Sequence, residues 1–318
     1  LYFNDAAENI ANTIRTGESA AEKPAGGTAA EGTAAEGTAA EGPAAGEEPA
    51  ESADETFARE KRFSCRLCDA SGKVYRGTTL EHLLIENLAA FFDVGENGKI
   101  RLHNADWNDA LDMAPDKGES VAFTMMYAEN LRKLSALLKR LGEQGHTSVL
   151  LLEELKDLLF LEHPEAVITV PKRKQEILKA YAGKTRRCVS GRKAEIPIPE
   201  LCRYLKFLSS SLKKRIHKEE WLEYGNLGWY NGYYDNHGRK LEGIRPDGQA
   251  RMMLTGQVFA VMSGTADDKQ VKKITEAAER FLFDERAGGY RLNTEFREVK
   301  TDMGRMFGFA YGEKENGS

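Results

Sequence analysis

The fold class of this chain is decided by residues 120–142, SVAFTMMYAENLRKLSALLKRLG. Leucines recur through the second half of this stretch, at Leu131, Leu134, Leu137, Leu138 and Leu141. Because spacings of three and four residues place side chains on one side of an α-helix, they form an apolar stripe. The stretch therefore predicts a long amphipathic helix that packs against a core.

Helical patterns continue on both sides of this stretch. Residues 78–81, TTLE, form a capping-box start, and an apolar stripe follows at Leu80, Leu83, Leu84, Leu88 and Phe91. Further helices are predicted near residues 148–161, 173–182, 199–222, 253–263 and 268–284. Residues 73–75 and 289–292 are the few strand-like pieces. The pattern predicts an all-α domain.

Composition and charge exclude several classes of protein. The chain has 318 residues, 41% of them hydrophobic, and a net charge of −5. An acidic balance argues against nucleic-acid binding, which needs a basic face. No window approaches eighteen apolar residues, so we expect no membrane span. The four cysteines are too few for a disulfide scaffold and lack zinc-ribbon spacing, which favours a reducing cytoplasm and no metal.

The N-terminal part has an unusual composition. Residues 1–16 predict a short helix, and residues 17–56 contain almost only Ala, Gly, Glu, Thr and Pro, with GTAAE repeated three times over 27–41. Since little there can be buried, we expect a disordered insertion. Neither chain end resembles a terminus, so we expect a piece of a longer protein. The predicted parts that follow are a barrel segment (57–145), an added helical subdomain (146–222) and a second barrel segment (223–318).

The connectors between helices combine aromatic rings with polar side chains. They include residues 105–109 (ADWND), 229–235 (WYNGYYD), 288–294 (GGYRLNT) and 307–312 (FGFAYG). Such loops suit sugars, because rings cover the apolar pyranose faces while carboxylates and amides bind hydroxyls. The second connector supplies Trp229, Tyr230, Tyr233 and Asp235 as candidates for an acceptor-sugar subsite. The alternative is that its aromatic rings fill the core.

One of these connectors carries a resemblance to a known family. Residues 105–112, ADWNDALD, followed by KGES at 117–120, resemble glycoside hydrolase family 94, which contains cellobiose, cellodextrin and β-1,2-oligoglucan phosphorylases. The runs RMMLTGQVFAVMSG (251–264), GGYRLN (288–293) and KENG (314–317) extend the similarity. It covers roughly residues 75–145 and 225–318, without the low-complexity stretch.

The resemblance implies a fold, an activity and a set of site residues. The fold would be part of an (α/α)6 barrel, and the activity inverting phosphorolysis of β-linked gluco-oligosaccharides to glucose 1-phosphate. Asp109 would be the general acid and Trp107 would line the sugar subsite, with Asp106 and Asn108 as neighbouring substrate-binding residues. Inorganic phosphate would be the co-substrate, with no cofactor and no metal. The full-length protein would be a homodimer.

Chemistry gives Asp109 a role of its own. Cleavage of a glycosidic bond requires protonation of the leaving oxygen, and an inverting hydrolase also needs a base that activates water. Phosphate, already an anion at neutral pH, replaces that water and base. We expect Trp107 and the charges of Asp106 and Asp112 to favour the protonated form of Asp109. The resemblance places the phosphate-binding residues outside this chain, so the 318 residues alone are expected to be inactive.

Two other functions stay open. An inverting β-glucoside hydrolase would need a second carboxylate, for which Asp235 is the candidate, and a third reading is a non-catalytic carbohydrate-binding fragment. Linkages of β-1,2 or β-1,4 are favoured for the substrate. Arg291 and Arg305 are expected to be ion-paired or solvated rather than to bind phosphate, and Glu119 to be structural. His103 is expected to support the motif, and His82 to lie in the core.

Overall fold

The computed structural model describes residues 67–103, 114–186, 188–298, 307 and 310–313. The predicted N-terminal helix (1–16) and the insertion (17–56) lie outside these residues. Within them are seven α-helices and one 3-10 helix, Glu153–Asp157. The α-helices are α1 (Thr79–Phe92), α2 (Val121–Glu143), α3 (Pro164–Ile168), α4 (Pro171–Thr185), α5 (Ile198–Glu219), α6 (Leu254–Met262) and α7 (Asp268–Phe281). The helical character predicted from the sequence is confirmed.

Short strands connect these helices, and they are more numerous than the sequence indicated. They are β1 (Cys68–Asp69), β2 (Ile100–Arg101), β3 (Glu119–Ser120), β4 (Ser148–Leu152), β5 (Cys188–Val189), β6 (Lys193–Pro197), β7 (Trp221–Tyr224), β8 (Leu227–Tyr230), β9 (Tyr233–Tyr234), β10 (Gly243–Ile244), β11 (Ala250–Arg251), β12 (Phe283–Asp284) and β13 (Gly289–Tyr290). Most pair in twos, and β2, β3 and β9 form a three-stranded sheet. The described residues do not form a closed barrel, so the (α/α)6 barrel stays a prediction.

Helix α1 begins with the capping box that the sequence predicted. The Thr78 hydroxyl accepts a hydrogen bond from the Glu81 N–H at 3.1 Å, and the Glu81 carboxylate accepts one from the Thr78 N–H at 2.7 Å. This reciprocal pair satisfies two backbone donors that a helix start leaves open. Most of the predicted apolar stripe is buried, at Leu80, Leu84, Leu88 and Phe91. The prediction that His82 lies in the core is wrong, because its side chain is 81% exposed, beside Glu86.

The helix predicted near residues 148–161 is also wrong. Residues 148–152 form β4, which pairs antiparallel with β6 in the register Ser148↔Pro197 to Leu152↔Lys193. Along β4 the side chains alternate, since Val149 and Leu151 are buried while Leu150 is exposed. A short apolar run fits a strand or a buried helix equally well in the sequence. The partner strand, more than forty residues later, decides in favour of the strand.

The largest hydrophobic cluster joins the two helices of the first predicted barrel segment to the stretch that follows them. It contains residues of α1 and α2 together with β4, β6, α4 and α5. The predicted subdomain (146–222) therefore shares one core with α1 and α2. The 57–145 and 146–222 boundaries remain predictions about the chain's organisation. In the part of the chain that the structure describes, no helix is both long and apolar enough to cross a bilayer.

Candidate active site

The residues predicted to carry the chemistry, Asp106, Trp107, Asn108 and Asp109, belong to a connector that we name the acid loop (residues 104–113). The loop lies outside the described residues, but the structure describes both of its ends. It leads from β2 to β3, which pair antiparallel with Ile100 opposite Ser120. The acid loop is therefore the connection of a β-hairpin, and its stems are held by a sheet.

Backbone hydrogen bonds continue the hairpin as far as the loop. The Leu102 N–H donates to the Gly118 carbonyl at 2.9 Å, and the Gly118 N–H donates to the Ala114 carbonyl at 3.1 Å. A side chain at Gly118 would not fit, because its Cβ would lie 2.3 Å from the Ala114 oxygen. Since glycine has no Cβ, the two stems can approach closely here. The two ends of the acid loop are thus fixed near each other.

Glu119, in β3, connects the C-terminal stem to residues 97–99 through hydrogen bonds of its side chain. Its carboxylate is fully buried and accepts hydrogen bonds from the Asn97 N–H at 2.9 Å, the Asn97 amide at 3.0 Å and the Lys99 N–H at 2.7 Å. Burial raises the pKa of Glu119, and these hydrogen bonds act in the opposite direction. The structural role predicted for Glu119 agrees with these contacts. The helix that follows is capped by Ser120, whose hydroxyl accepts from the Phe123 N–H at 2.9 Å.

The N-terminal stem ends at His103, whose backbone is left-handed with φ of 50°. Its imidazole Nε2 lies 2.6 Å from one Asp93 carboxylate oxygen, while Arg101 pairs with the other at 2.6 Å. A non-glycine residue in this conformation costs about 1–2 kcal/mol. The Asp93 carboxylate, which contacts both side chains, holds the strained stem in place. Whether His103 also supports the motif stays a prediction, because residues 104–113 lie outside the described residues.

A second hairpin braces the other stem. β9 pairs with β3, with Glu119 opposite Tyr234 and Ser120 opposite Tyr233. Just beyond β9, the Asn236 side-chain oxygen accepts hydrogen bonds from the N–H groups of both Asp116 and Lys117, each at 2.9 Å. The connector WYNGYYD (229–235) and the stem of the acid loop therefore lie side by side, as two parts of one site would.

A hydrophobic cluster, which we name the stem cluster, includes a residue from each stem of the acid loop. It contains Leu102, Ala114, Ala122, Tyr233, Leu241, Met253, Phe296 and Phe307. Leu102 and Ala114 belong to the two stems, whereas Met253 comes from the run 251–264 and Phe307 from the last aromatic connector. Segments that are some two hundred residues apart in sequence thus meet at the base of the acid loop.

The aromatic candidates for an acceptor subsite lie in the interior. Trp229, Tyr230 and Tyr233 are each 0% exposed. The Tyr230 hydroxyl donates to the Gln270 side chain at 2.9 Å, and its backbone N–H donates to the Gln257 side chain at 2.8 Å. Rings without exposed faces cannot stack on a sugar in this arrangement. The core role, which the sequence left open as the alternative, accounts for all three rings.

Asp235 has its oxygens engaged by its own turn. It is 2% exposed, and one carboxylate oxygen accepts from the N–H groups of His237 and Arg239, both at 2.9 Å. The other pairs with the Arg239 guanidinium at 2.9 Å. A carboxylate in this position shapes the turn that carries Asn236. These contacts give no support to Asp235 as the base of a hydrolase.

Sequence reasoning missed Glu242, a fully enclosed carboxyl group next to the stem cluster. It is 5% exposed and accepts hydrogen bonds from the Gly232 N–H at 2.7 Å and the Met253 N–H at 2.8 Å. Burial raises the pKa of Glu242 to about 8. Beside it the backbones of Gly232 and Gly256 touch, since a Cβ on Gly256 would lie 2.9 Å from the Gly232 Cα. Nothing local in the sequence pairs these glycines.

Of the two arginines considered for phosphate binding, the structure describes one. Arg291 is paired with Asp284 and lies over the Tyr311 ring at 5.0 Å, so it is ion-paired as predicted. Arg305 lies outside the described residues. Cys68 stands opposite Cys188 in the β1–β5 pair, and Cys188 and Cys202 are free thiols. Among described side chains, no group of three or more His, Cys, Asp or Glu residues could hold a metal ion.

Two comparisons with known proteins bear on this site. Residues 199–318 match the Glycosyl hydrolase 94 superfamily, catalytic domain. Over 242 residues the chain is 24% identical to the solabiose phosphorylase of Paenibacillus borealis. The aligned region covers 76% of this chain and 24% of that protein. The chain thus spans about a quarter of the length of this curated relative. The family match includes the runs 251–264, 288–293 and 314–317 but begins after the acid loop. Taken together, the two comparisons support a phosphorylase-like protein that is similar to the glycosyl hydrolase 94 superfamily.

Proposed function

We propose that this protein acts in the inverting phosphorolysis of a β-linked gluco-oligosaccharide to glucose 1-phosphate, with β-1,2 or β-1,4 linkages favoured. The observation that carries the proposal is the stem cluster, which brings the family-matched run 251–264 to the base of the acid loop. A sugar phosphorylase among its relatives supports the same reaction class. On this proposal the catalytic part would complete an (α/α)6 barrel, in a soluble cytoplasmic homodimer.

In the proposed reaction Asp109 protonates the glycosidic oxygen as it leaves. Inorganic phosphate attacks the anomeric carbon from the opposite face, so the C–O bond to the acceptor sugar breaks while a C–O bond to phosphate forms. The configuration at that carbon inverts. Trp107 would cover the sugar ring, and Asp106 and Asn108 would bind hydroxyl groups. The rigid stems would fix the position of the acid, which matters because small displacements of a reacting group are costly.

The test is an assay on the protein at its full natural length. It would be incubated with β-1,2- and β-1,4-linked gluco-oligosaccharides, with and without phosphate, and the anomer of any glucose 1-phosphate would be read by NMR. We expect phosphate-dependent release of α-glucose 1-phosphate. Asp109→Asn should lower kcat by at least about a hundredfold, because general acid catalysis is worth about 10²–10⁴ in rate.

Asp112→Asn is the matched control, a carboxylate three positions further along the same loop. It should cost far less than Asp109→Asn, because Asp112 transfers no proton and acts on Asp109 only through its charge. Cleavage at the same rate without phosphate would identify a hydrolase instead. Unchanged turnover in Asp109→Asn would refute the assignment of the acid.

A further inference from the structure

A cavity of about 710 Å³ lies on the helical stretch that follows α2. Its wall includes three aromatic rings and three charged side chains: Phe160, Tyr204 and Phe207, with Glu165, Glu200 and Arg203. Small-molecule sites commonly have volumes of about 300–1,000 Å³ and combine apolar walls with a few polar groups. None of these residues belongs to the acid loop or the stem cluster.

The aromatic part of the wall presents a ring to solvent. Phe160 is 37% exposed, and its ring centroid lies 5.6 Å from that of Tyr204 at an interplanar angle of 45°. Tyr204 is nearly buried, and its hydroxyl donates to the Leu158 carbonyl at 3.1 Å. The tyrosine is thus fixed by its own hydrogen bond and supports the phenylalanine. The cavity wall thus contains a partly exposed apolar ring that packs against a fixed tyrosine.

Two residues of the cavity wall have a strained backbone. Phe160 and His163 both have left-handed backbones, with φ of 54° and 52°. Such residues cost about 1–2 kcal/mol each when they are not glycine. Phe160 is in none of the hydrophobic core clusters, so core packing does not by itself account for this conformation. Since strained residues of this kind concentrate at ligand sites, the strain points to a binding role for the Phe160 ring.

The charged part of the wall is available for a ligand. Glu165, Glu200 and Arg203 are exposed, and their side chains make no hydrogen bond or ion pair within the ranges that the structure describes. Two carboxylates beside one guanidinium disfavour an anion such as free phosphate, and the arginine disfavours a cation. A neutral ligand rich in hydroxyl groups satisfies both kinds of side chain, because carboxylates accept and guanidinium groups donate hydrogen bonds.

We infer that this cavity is a saccharide-binding site separate from the acid loop. One face of a pyranose ring lies on Phe160, and its hydroxyl groups bind to Glu165, Glu200 and Arg203. A sugar has the required combination, since its ring faces are apolar and its rim is polar. The saccharide class follows from the cavity itself, whereas the choice of β-linked glucose as the probe rests on the proposed function.

Hydrogen exchange followed by mass spectrometry locates the site directly. The protein would be titrated with β-1,4- and β-1,2-linked glucotetraose in phosphate-free buffer, and exchange would be read in peptides covering residues 155–170 and 198–208. We expect protection of these peptides that saturates with sugar concentration. Phe160→Gly removes the ring, and the relief of left-handed strain offsets part of the lost packing against Tyr204. The variant should therefore remain folded while the sugar concentration for half-protection rises about tenfold. Arg203→Gln should weaken the same protection.

Tyr224→Ala is the matched control, since Tyr224 is an aromatic residue of equal exposure, 37%, outside the cavity. Its protection curve should match that of the unmodified protein. Unprotected cavity peptides, or equal protection in Phe160→Gly, would overturn the inference, as would protection by inorganic phosphate alone. Turnover assays of Asp109 variants do not involve this cavity, so failure here would leave the proposed function untouched. Failure of the proposed function would likewise leave the exchange result intact.

Discussion

Asn236 and Asp116, 120 residues apart in sequence, form a reciprocal pair at the stem of the acid loop. The Asp116 N–H donates to the Asn236 side-chain oxygen at 2.9 Å, and the Asn236 amide donates to the Asp116 carboxylate at 3.2 Å. The same Asn236 oxygen also accepts from the Lys117 N–H. One side chain thus fixes two successive residues of the C-terminal stem, just after the loop that carries Asp109.

We expect Asn236→Ala to loosen the stem while leaving the fold intact. The loss of these partly exposed hydrogen bonds should cost about 1 kcal/mol of unfolding free energy. Hydrogen exchange should increase in peptides covering residues 114–120. If Asp109 is the acid, kcat should fall about tenfold with a smaller change in KM, because positioning matters most in the transition state.

Asp247→Ala is the control for this prediction. Asp247 accepts a comparable turn bond, from the Gln249 N–H at 3.1 Å, in the separate hairpin of β10 and β11. Its loss should leave the exchange of residues 114–120 unchanged. Equal exchange of the stem in Asn236→Ala and in the unmodified protein would show that Asn236 does not hold it.

Local patterns in the sequence predicted the parts of the fold that depend on near neighbours. The capping box at Thr78 and Glu81 and the stripe of α2 involve residues three and four positions apart, and both are present. The pairing of β4 with β6 and the contact of Asn236 with Asp116 connect distant residues. No local period encodes such partners, so the sequence predicted a helix at β4 and did not single out Asn236.

The same distinction applies to the candidate site. The polar motif of the acid loop was recognisable because its residues are adjacent in sequence. The aromatic run that contains Trp229 and Tyr233 looked similar, but burial depends on which helices and strands enclose it. Glu242 was missed because its partners, Gly232 and Met253, are each about ten residues away, on opposite sides.

The contact of Gly232 with Gly256 predicts that neither tolerates a side chain. A Cβ on Gly232 would lie 2.9 Å from the Glu242 carboxylate and 3.1 Å from the Gly256 Cα. We expect Gly232→Ala to destabilise the protein by about 1–3 kcal/mol, because backbone cannot move aside as a flexible side chain can. Urea unfolding followed by circular dichroism measures the change.

Gly183→Ala is the matched control for the glycine contact. Gly183 is exposed within α4, and its Cβ would meet nothing within 4 Å. Alanine there should stabilise the protein by up to about 0.5–1 kcal/mol, the value of a helix interior, since Gly183 lies in the last turn of α4. The opposite signs of the two changes in unfolding free energy distinguish a steric clash at Gly232 from the general effect of alanine on helix stability. A neutral Gly232→Ala would mean that the two backbones are not in contact in solution.

Lys174 is a buried amine whose removal should stabilise the protein. Its side chain is 0% exposed, its nitrogen lies 3.7 Å from the centre of the Phe91 ring, and it has no hydrogen-bond partner among the described residues. Burial, with the nearby Arg215 and Lys99 charges, holds the pKa of Lys174 well below its usual range. We expect Lys174→Met to raise the unfolding free energy by about 1–3 kcal/mol at neutral pH.

The sign of the pH dependence follows from that lowered pKa. In the unfolded chain Lys174 is protonated below its ordinary pKa of 10.5, whereas in the folded chain the buried amine stays neutral to a lower pH. Lys174 therefore lowers the unfolding free energy more and more as the pH falls from about 10.5. The stabilisation by Lys174→Met should accordingly shrink as the pH rises towards 10.5. Lys179→Met, on the exposed side of the same helix, should show no such trend. A gain that is independent of pH would contradict the buried neutral amine.

Glu242 should give a pH dependence of its own. Its folded pKa of about 8 lies above the ordinary 4.5, so between these values the unfolded chain loses a proton that the folded chain keeps. The stability that it contributes is complete below about pH 4.5 and is lost as the pH rises towards 8, by at most about 1.4 kcal/mol per pH unit. Glu242→Gln cannot titrate, so the difference in unfolding free energy between the unmodified protein and this variant should fall across that range and level off above it.

The hydrogen bonds of Glu242 determine how much less stable Glu242→Gln is than the unmodified protein at low pH. At low pH the variant should still be less stable by about 1–3 kcal/mol, because its amide turns a donor towards the N–H of Gly232 or Met253. Glu143→Gln, at an exposed position near the end of α2, is the control and should not show the fall between pH 4.5 and 8. Urea unfolding at closely spaced pH values measures all three proteins. A difference that stays constant between pH 4.5 and 8 would mean that Glu242 is already ionised in the folded protein, held as a carboxylate by the Gly232 and Met253 donors.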